Sequence, residues 1–393
     1  MSTSPVASGE EGGDVEAAIL KPPRRLGKAR AMRHLSVPSH ETQRWLTLCR
    51  GRGWLAESGV VALNDGQRGL PLNPHAPDET DVVWEGHAHL DVEPTVKGPQ
   101  RWQDRLPEEL RHLPDDLWPS AYELQGDVLM VKVEPAVQPY ESAMASAMLE
   151  QLPNVRLVCA DEGVEGEFRV RQLRLLGSRD GSTSTRTQIK EHGASIWVDP
   201  NEVYFSSRLS TQRHQTLETL KAFRQTIGRP LVVADPYAGV GPSLPLLLAA
   251  DDLLSGFLVG DLNPKAVDLL AENLRGWIKT LSRFSPSTVV CNDALAWKDE
   301  AELCGQADVL LVNLPHDSLE HLPDLFPILR RDGFSLVRGW AIVDRTALAE
   351  QRQALEASVE AAGGRCADLV FEEVKGFSST RCFVVFQVTV AWD

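Results

Sequence analysis

The sequence predicts an α/β chain whose C-terminal half is a Rossmann-like, doubly wound sheet, and three observations support this. First, Leu231–Ala234 (LVVA) is an apolar, partly β-branched run of strand length. It is followed by Asp235, by Gly239 and Gly241, and after Pro242 by the apolar, helix-like run Leu244–Ala250. Second, the pattern repeats: Gly256–Gly260 is a short strand ending in Asp261, and Asn263-Pro264 opens a helix over Lys265–Leu274. Third, the strands Thr288–Cys291 and Asp308–Val312 end in Asn292-Asp293 and Asn313-Leu314-Pro315. Successive strand ends therefore carry polar groups to one sheet edge, where ligands of α/β sheets bind.

The turn DPYAGVGP (235–242) lacks G-x-G-x-x-G, which excludes the dinucleotide fingerprint. Its glycines let the backbone approach a ligand more closely than a Cβ would allow. An acid ending the second strand, Asp261, is placed to hold ribose hydroxyls. At 393 residues two or three domains are expected, and 42% hydrophobic content fills sizeable cores. No apolar run reaches the roughly 18 residues of a membrane span, and the N-terminus lacks a signal peptide's apolar core. The six cysteines are scattered without C-x-x-C, which argues against a disulfide framework or a zinc site and fits a reducing cytoplasm. The net charge of −15 is awkward for nucleic-acid binding, which draws on phosphate contacts. Either the basic residues gather on one face, or RNA is not bound, or the acidity is an adaptation to a salty cytoplasm.

Taken in order, residues 1–34 read as a disordered tail, acidic first and then basic in Lys21–His34 (KPPRRLGKARAMRH). The basic arm is either a solvated tail or a segment that folds on RNA phosphates. Residues 35–75 form a small module. In it Ser39 caps an amphipathic helix to Arg50, with Trp45, Leu46 and Cys49 on one face, and Val60–Leu72 is a hairpin around Asn64-Asp65-Gly66. Residues 76–120, rich in Pro, Asp, Glu and Trp, read as an irregular connector.

Residues 121–200 form a middle α/β domain: strand Asp127–Val133, helix Pro139–Leu152, strand Val155–Cys159, strand Phe168–Leu176, segment Thr185–Gly193 and strand Ala194–Val198. FRVRQLRLL (168–176) begins by alternating arginine with apolar residues, a strand with one basic face. Arg156, Arg169, Arg171, Arg174, Arg179, Arg186 and Lys190 are a phosphate footprint if they share a face, and ordinary partners of the many acids if they do not. Residues 201–393 hold the nucleotide-binding sheet, entered through a helix over His214–Thr226. Beyond Pro315, Leu319–Arg330 reads as a helix weakened by Pro323 and Pro327. Gly333–Arg338 is a strand, Arg345–Ala362 a helix stopped by Gly363-Gly364, and Cys366–Val374 with Arg381–Val390 a closing antiparallel pair.

DPYAGVGP, GDLNP, NDA and NLP in this order resemble the class I S-adenosylmethionine (SAM) methyltransferases. Asn313-Leu314-Pro315 together with YFSSRLSTQR (204–213) narrows the resemblance to the archaeal and eukaryotic tRNA guanine-37 N1-methyltransferases. Their close relatives are the aminocarboxypropyl transferases of wybutosine synthesis. The resemblance runs from about Gly126 to the C-terminus. It implies SAM as cofactor, tRNA as partner, a middle domain that binds RNA, and a monomeric, cytoplasmic enzyme.

The resemblance also implies roles. Asp261 takes the ribose hydroxyls, and Asp293 accepts from the adenine amino group with Asn292 beside it, or serves as a helix N-cap. Asp235, Ala238 and Gly239 line the amino-acid end, where a carboxylate suits a sulfonium. Arg208 looks like the methyltransferase branch and is placed with the cofactor residues. Asn313 and Pro315 contact the guanine, whose edge an amide can both donate to and accept from. Arg169, matching the family's catalytic arginine in GEFR, stabilises charge on the guanine O6.

One residue departs from the pattern. Guanine N1 carries a proton at neutral pH, so its methylation needs a general base. The family places a glutamate eight residues after the tyrosine of YFS; here the tyrosine is Tyr204 and the residue is Gln212, with Arg213 beside it. A carboxamide cannot be that base. Glu191, His192, His214, His316 or Asp317 substitutes, or the reaction is aminocarboxypropyl transfer, or RNA and SAM are bound with little turnover. The NLP turn and Arg208 favour N1-methylation with an altered base.

Overall fold

In the computed structural model, which describes residues 31–92, 99–166 and 168–392, the chain divides into two units, Met1–Gly98 and Pro99–Asp393. The acidic tail and the basic arm as far as residue 30 lie outside the described residues. The end of that arm is not tail: Met32–His34 open strand β1 (Met32–Pro38), which pairs on both edges.

The first unit continues with α1 (Thr42–Gly51), β2 (Val61–Ala62), β3 (Gln67–Pro71) and β4 (His89–Val92), in an antiparallel sheet of order β2-β3-β1-β4. Asp65 and Gly66 carry the hairpin turn at φ 58° and 72°, the left-handed pair that matches strand twist. Ser39 does not cap α1. A 3-10 turn intervenes, and the Ser39 hydroxyl donates to Gly66 O at 2.6 Å, tying the helix entry to the hairpin. Trp45 and Cys49 of α1 pack on Leu35, Val37, Leu70 and Trp84, so Trp84 of the predicted connector is core.

The second unit begins with β5 (Glu123–Gln125), β6 (Val128–Val131), α2 (Glu141–Gln151), β7 (Leu157–Glu165) and β8 (Val170–Ser178), a sheet of order β5-β6-β7-β8. Helix α2 covers one face, packing Met144 and Met148 against Leu129, Val131 and Val158, with Trp102 and Trp118 completing the cluster. Strand β8 starts at Val170 because Phe168-Arg169 form a turn, with Arg169 at φ 52°.

The predicted basic face is largely neutralised. Arg171 bridges Glu123 at 2.7 Å and Asp161 at 2.6 Å, Arg174 bridges Glu141 at 2.9 Å and Glu162 at 2.6 Å, and Arg156 pairs with Asp127 at 2.8 Å. Arg179 is spent on the carbonyls of Leu149, Leu152 and Val155, and Arg186 on Glu272 and the Trp197 ring. The side chains of Arg169 and Lys190 are exposed and make no hydrogen bond or ion pair to a described residue.

A hairpin of β9 (Thr187–Glu191) and β10 (Ala194–Val198) turns at His192-Gly193, and α3 (Ser210–Ile227) leads into the large sheet. There follow β11 (Leu231–Asp235), α4 (Leu244–Ala249), β12 (Leu254–Asp261), α5 (Pro264–Trp277), β13 (Ser287–Cys291), β14 (Val309–Val312) and α6 (Ser318–Leu325). The chain closes with β15 (Phe334–Asp344), α7 (Leu348–Ala361), β16 (Gly364–Gly376) and β17 (Arg381–Trp392). The strand order is β13-β12-β11-β14-β15-β17-β16, parallel except where β17 runs against β15 and β16.

The continuous apolar runs are explained by burial on both faces. Val233, Val309 and Leu311 meet α3, α4 and α5, while Ala234, Leu310 and Val312 meet α6 and α7. The predicted helix to Arg330 stops at Leu325 and passes into a 3-10 turn, Phe326–Ile328, at Pro327, which has no N–H to give. At the opposite end from the polar strand ends, fully buried Asp308 accepts from Arg229 at 2.7 and 2.8 Å, Arg330 at 3.3 Å and Val232 N at 2.8 Å.

Candidate active site

The glycine turn joins the ends of β11 and β12. Gly239 and Gly241 have φ of 57° and 81°, which only glycine adopts without strain. At Gly241 a Cβ would meet Leu270 Cδ1 at 2.6 Å, so α5 packing also demands glycine. At Gly239 it would meet only Tyr204 O at 4.0 Å, so the turn faces open space there. Asp261 fixes the turn, its carboxylate accepting from Gly239 N at 2.8 Å and Asn263 N at 2.9 Å. Each of its oxygens keeps lone-pair capacity for a further donor.

Asp235 is 3% exposed, and among the described residues its carboxylate accepts only from Tyr237 N, at 3.3 Å. Burial, with the Asp261 charge adding to it, pushes its carboxyl up to about 7. Burial also raises Asp261. A buried acid and a half-buried one thus stand together with no described cation paired to either, and a cationic ligand group would relieve both. Ala238 offers less than expected: its methyl is in the core and its N–H is taken by Gly260 O at 2.8 Å.

At the next strand end Asp293 caps a 3-10 helix, Ala294–Asp299, through Leu295 N at 2.9 Å, and Asn292 Oδ1 accepts from Asp293 N. One carboxylate oxygen of Asp293 remains free, so capping and ligand binding are compatible. Between this end and β14 lies Tyr237, hydrogen-bonded to His321 Nδ1 at 2.7 Å. Burial, then the charges of Asp293, Asp317, Asp235 and Asp324, raise its phenol and keep it protonated.

The Asn313-Leu314-Pro315 turn is held by its carbonyls. Leu314 O accepts from Asp317 N, Ser318 N and the Ser318 hydroxyl, and Pro315 O accepts from Ile342 N of β15 at 2.7 Å. The Asn313 amide bonds to no described residue. Gln212 lies over the same strand, its Oε1 accepting from Trp340 Nε1 at 3.5 Å. Its neighbour Arg213 is buried in a bidentate pair with Glu191, 2.6 Å for both contacts, and also donates to Ser206 O at 3.0 Å. Arg213 is therefore a structural clamp on the YFSSRLSTQR segment. Arg208 is exposed and bonds to no described residue. Arg169 and Arg381 both act electrostatically on His316, directly after the NLP turn; burial first, then these cations, lower its imidazole.

The structure adds Asn273, buried on α5. Its amide accepts from Trp197 N at 2.8 Å and donates to Trp197 O and Val240 O, both at 3.0 Å, pinning the β9–β10 hairpin to the glycine turn. A polar residue on the apolar stripe of a strongly amphipathic helix is the one signal of it that the sequence carries. Asn263 does more than open a helix: besides capping α5 it donates to Glu202 O at 2.8 Å.

The sheet order, the reversed seventh strand and the acids at the strand ends define a class I SAM-methyltransferase fold. Residues 102–181 match the TYW2 N-terminal domain and residues 187–358 the TRM5/TYW2 methyltransferase domain, together more than half of the sequence. The chain belongs to the TRM5/TYW2 family.

It is 27% identical over 237 residues to tRNA (guanine(37)-N(1))-methyltransferase Trm5b of Pyrococcus abyssi, covering 59% of this chain and 63% of that one. A crystal structure of Trm5b from P. abyssi matches with a TM-score of 0.63 at 19% identity, over 92% of this chain and all of that chain. A structure of aTrm5 with tRNALeu matches at 0.60 and 18% identity, over 91% and 99%. P. horikoshii TYW2 in complex with MeSAdo matches at 0.56 and 20% identity, over 73% and 96%. The chain spans 63%, 25% and 33% of the lengths of three curated relatives that it matches.

Proposed function

We propose that this protein methylates N1 of guanine-37 in tRNA, using SAM. The observation that carries the reading is the rigid Asn313-Leu314-Pro315 turn, whose unspent amide stands at the same sheet edge as buried Asp235 and half-buried Asp261. When bound, SAM supplies an activated methyl group on a sulfonium. The residues present suit it: Asp261 for the ribose diol, Asp293 and Asn292 for the adenine, and Asp235 with the open backbone at Gly239 for the cationic end. Asn313 reads the guanine edge and Pro315 shapes the surface under the base. Arg169 holds O6, where charge builds as the N1 proton leaves. Reaching the site requires the nucleotide to leave the stack. The protein acts as a cytoplasmic monomer. All six cysteines are free, in keeping with a reducing compartment, and no described helix is long and apolar enough to cross a membrane.

The test is transfer of labelled methyl from SAM to tRNA transcripts carrying guanine or adenine at position 37. Label is expected on the first only; equal labelling of both, or of neither, overturns the reading. Aminocarboxypropyl transfer to the same nucleotide is the second reading. It is favoured by Gln212 in place of an acid and by the match of residues 102–181 to the TYW2 N-terminal domain.

A further inference from the structure

We propose that His316 is the general base for the target guanine, replacing the carboxylate absent at Gln212. The inference rests on the methyl-transfer reading above.

The other candidates are spent or face elsewhere. Glu191 gives both oxygens to buried Arg213, and protonating it would strand that guanidinium. His192 is held by Ser210 Oγ at 2.8 Å on the hairpin turn and stacks on His214 at 5.8 Å. His214 is two residues past Gln212 on α3 and so points to a different side of the helix. Asp317 shares the turn with His316, and its charge acts on both that imidazole and Tyr237, so it serves as a neighbouring charge to the base.

His316 differs in three respects. It follows Pro315 directly, on a turn whose preceding carbonyls are fixed by β15 and α6. Its ring nitrogens bond to no described residue, while Phe377 meets the ring edge-on at 6.0 Å. The Arg169 charge also acts on it. In guanine, O6 sits on the carbon bonded to N1, so the guanidinium that holds O6 should have the base beside it.

The charged groups around the imidazole are Arg169 from the turn before β8, Arg381 from β17 and Asp317 from its own turn. Partial burial and the two cations outweigh the acid and hold the imidazole below its ordinary range, which favours the neutral, proton-accepting form. In the step, the N1–H bond breaks and its proton passes to an imidazole nitrogen. N1 bonds to the methyl carbon, and the electron pair of the S–CH3 bond stays on sulfur.

The test compares wild type with His316→Gln in single-turnover transfer to tRNA across pH, alongside tRNA affinity and an NMR titration of His316 in the wild-type protein. Expected are a loss of about 100-fold in rate with affinity unchanged, loss of the acid limb of the pH profile, and an imidazole titrating where the wild-type limb falls. Adding Gln212→Glu to His316→Gln should restore much of the rate. A variant that keeps the wild-type rate or the acid limb, or an imidazole that titrates away from it, overturns the role of His316 and leaves the methyl-transfer reading standing. No methyl transfer by wild type overturns both.

Discussion

Asp235 carries a charge that the fold does little to receive. Its carboxyl sits at about 7, against about 4 in an unfolded chain. Between those values the folded protein holds a proton that the unfolded chain has lost. Stability therefore falls as pH rises through the window, and the full cost is present above pH 7. Asp235→Asn should stabilise the ligand-free protein by roughly 1–4 kcal/mol at pH 8 and by nothing at pH 4, as read from denaturant midpoints. The same change should weaken SAM binding, because the cation loses its partner. Arg169 is the converse case, an exposed residue at φ 52° whose side chain makes no hydrogen bond or ion pair to a described residue. Strain retained at such a position marks function more often than stability. Arg169→Ala should leave the unfolding free energy within about 0.5 kcal/mol and lower single-turnover transfer by about 100-fold or more. Equal rates would remove Arg169 from the site.

Among the elements, the hairpin β9–β10 owes its place over the glycine turn to one amide on α5. Asn273→Ala would leave the Trp197 and Val240 carbonyls short of a donor, at a cost of about 2–4 kcal/mol by denaturation. SAM affinity should fall with it, since Val240 lies inside the turn. Elements are also where the sequence is most and least legible. Buried parallel strands announce themselves as apolar runs, and Asp235, Asp261, Asp293 and Asn313 stand at their ends because the chain must turn there. The arginines of β8 are visible as a pattern, but their partners Glu123, Glu141, Asp161 and Glu162 come from other elements. Only strand order and helix placement bring those acids within reach, so a strand that reads as a phosphate-binding face is mostly an internal ion-pair lattice. Likewise Gln212 is legible as a missing base, whereas the effect of the Arg169 charge on His316 depends on the packing of two sheets.

For the molecule as a whole, a net charge of −15 and the pairing of most middle-domain arginines leave few cations for RNA. The basic arm, with Lys21, Arg24, Arg25, Lys28 and Arg30, is the richest remaining source. Removing residues 1–30 should weaken tRNA binding and flatten its salt dependence by about 0.9 in log–log slope for each phosphate that is no longer neutralised. The single-turnover rate at saturating tRNA should not change. An unchanged slope would assign phosphate binding to the folded units instead. The most direct test of the central claim is the identity of the product. The full chain would be incubated with SAM and a tRNA bearing guanine-37, the RNA digested, and the nucleoside from that position identified by mass spectrometry. N1-methylguanosine is expected at position 37 alone. Unmodified guanosine, or a nucleoside carrying an aminocarboxypropyl group in place of methyl, would contradict it.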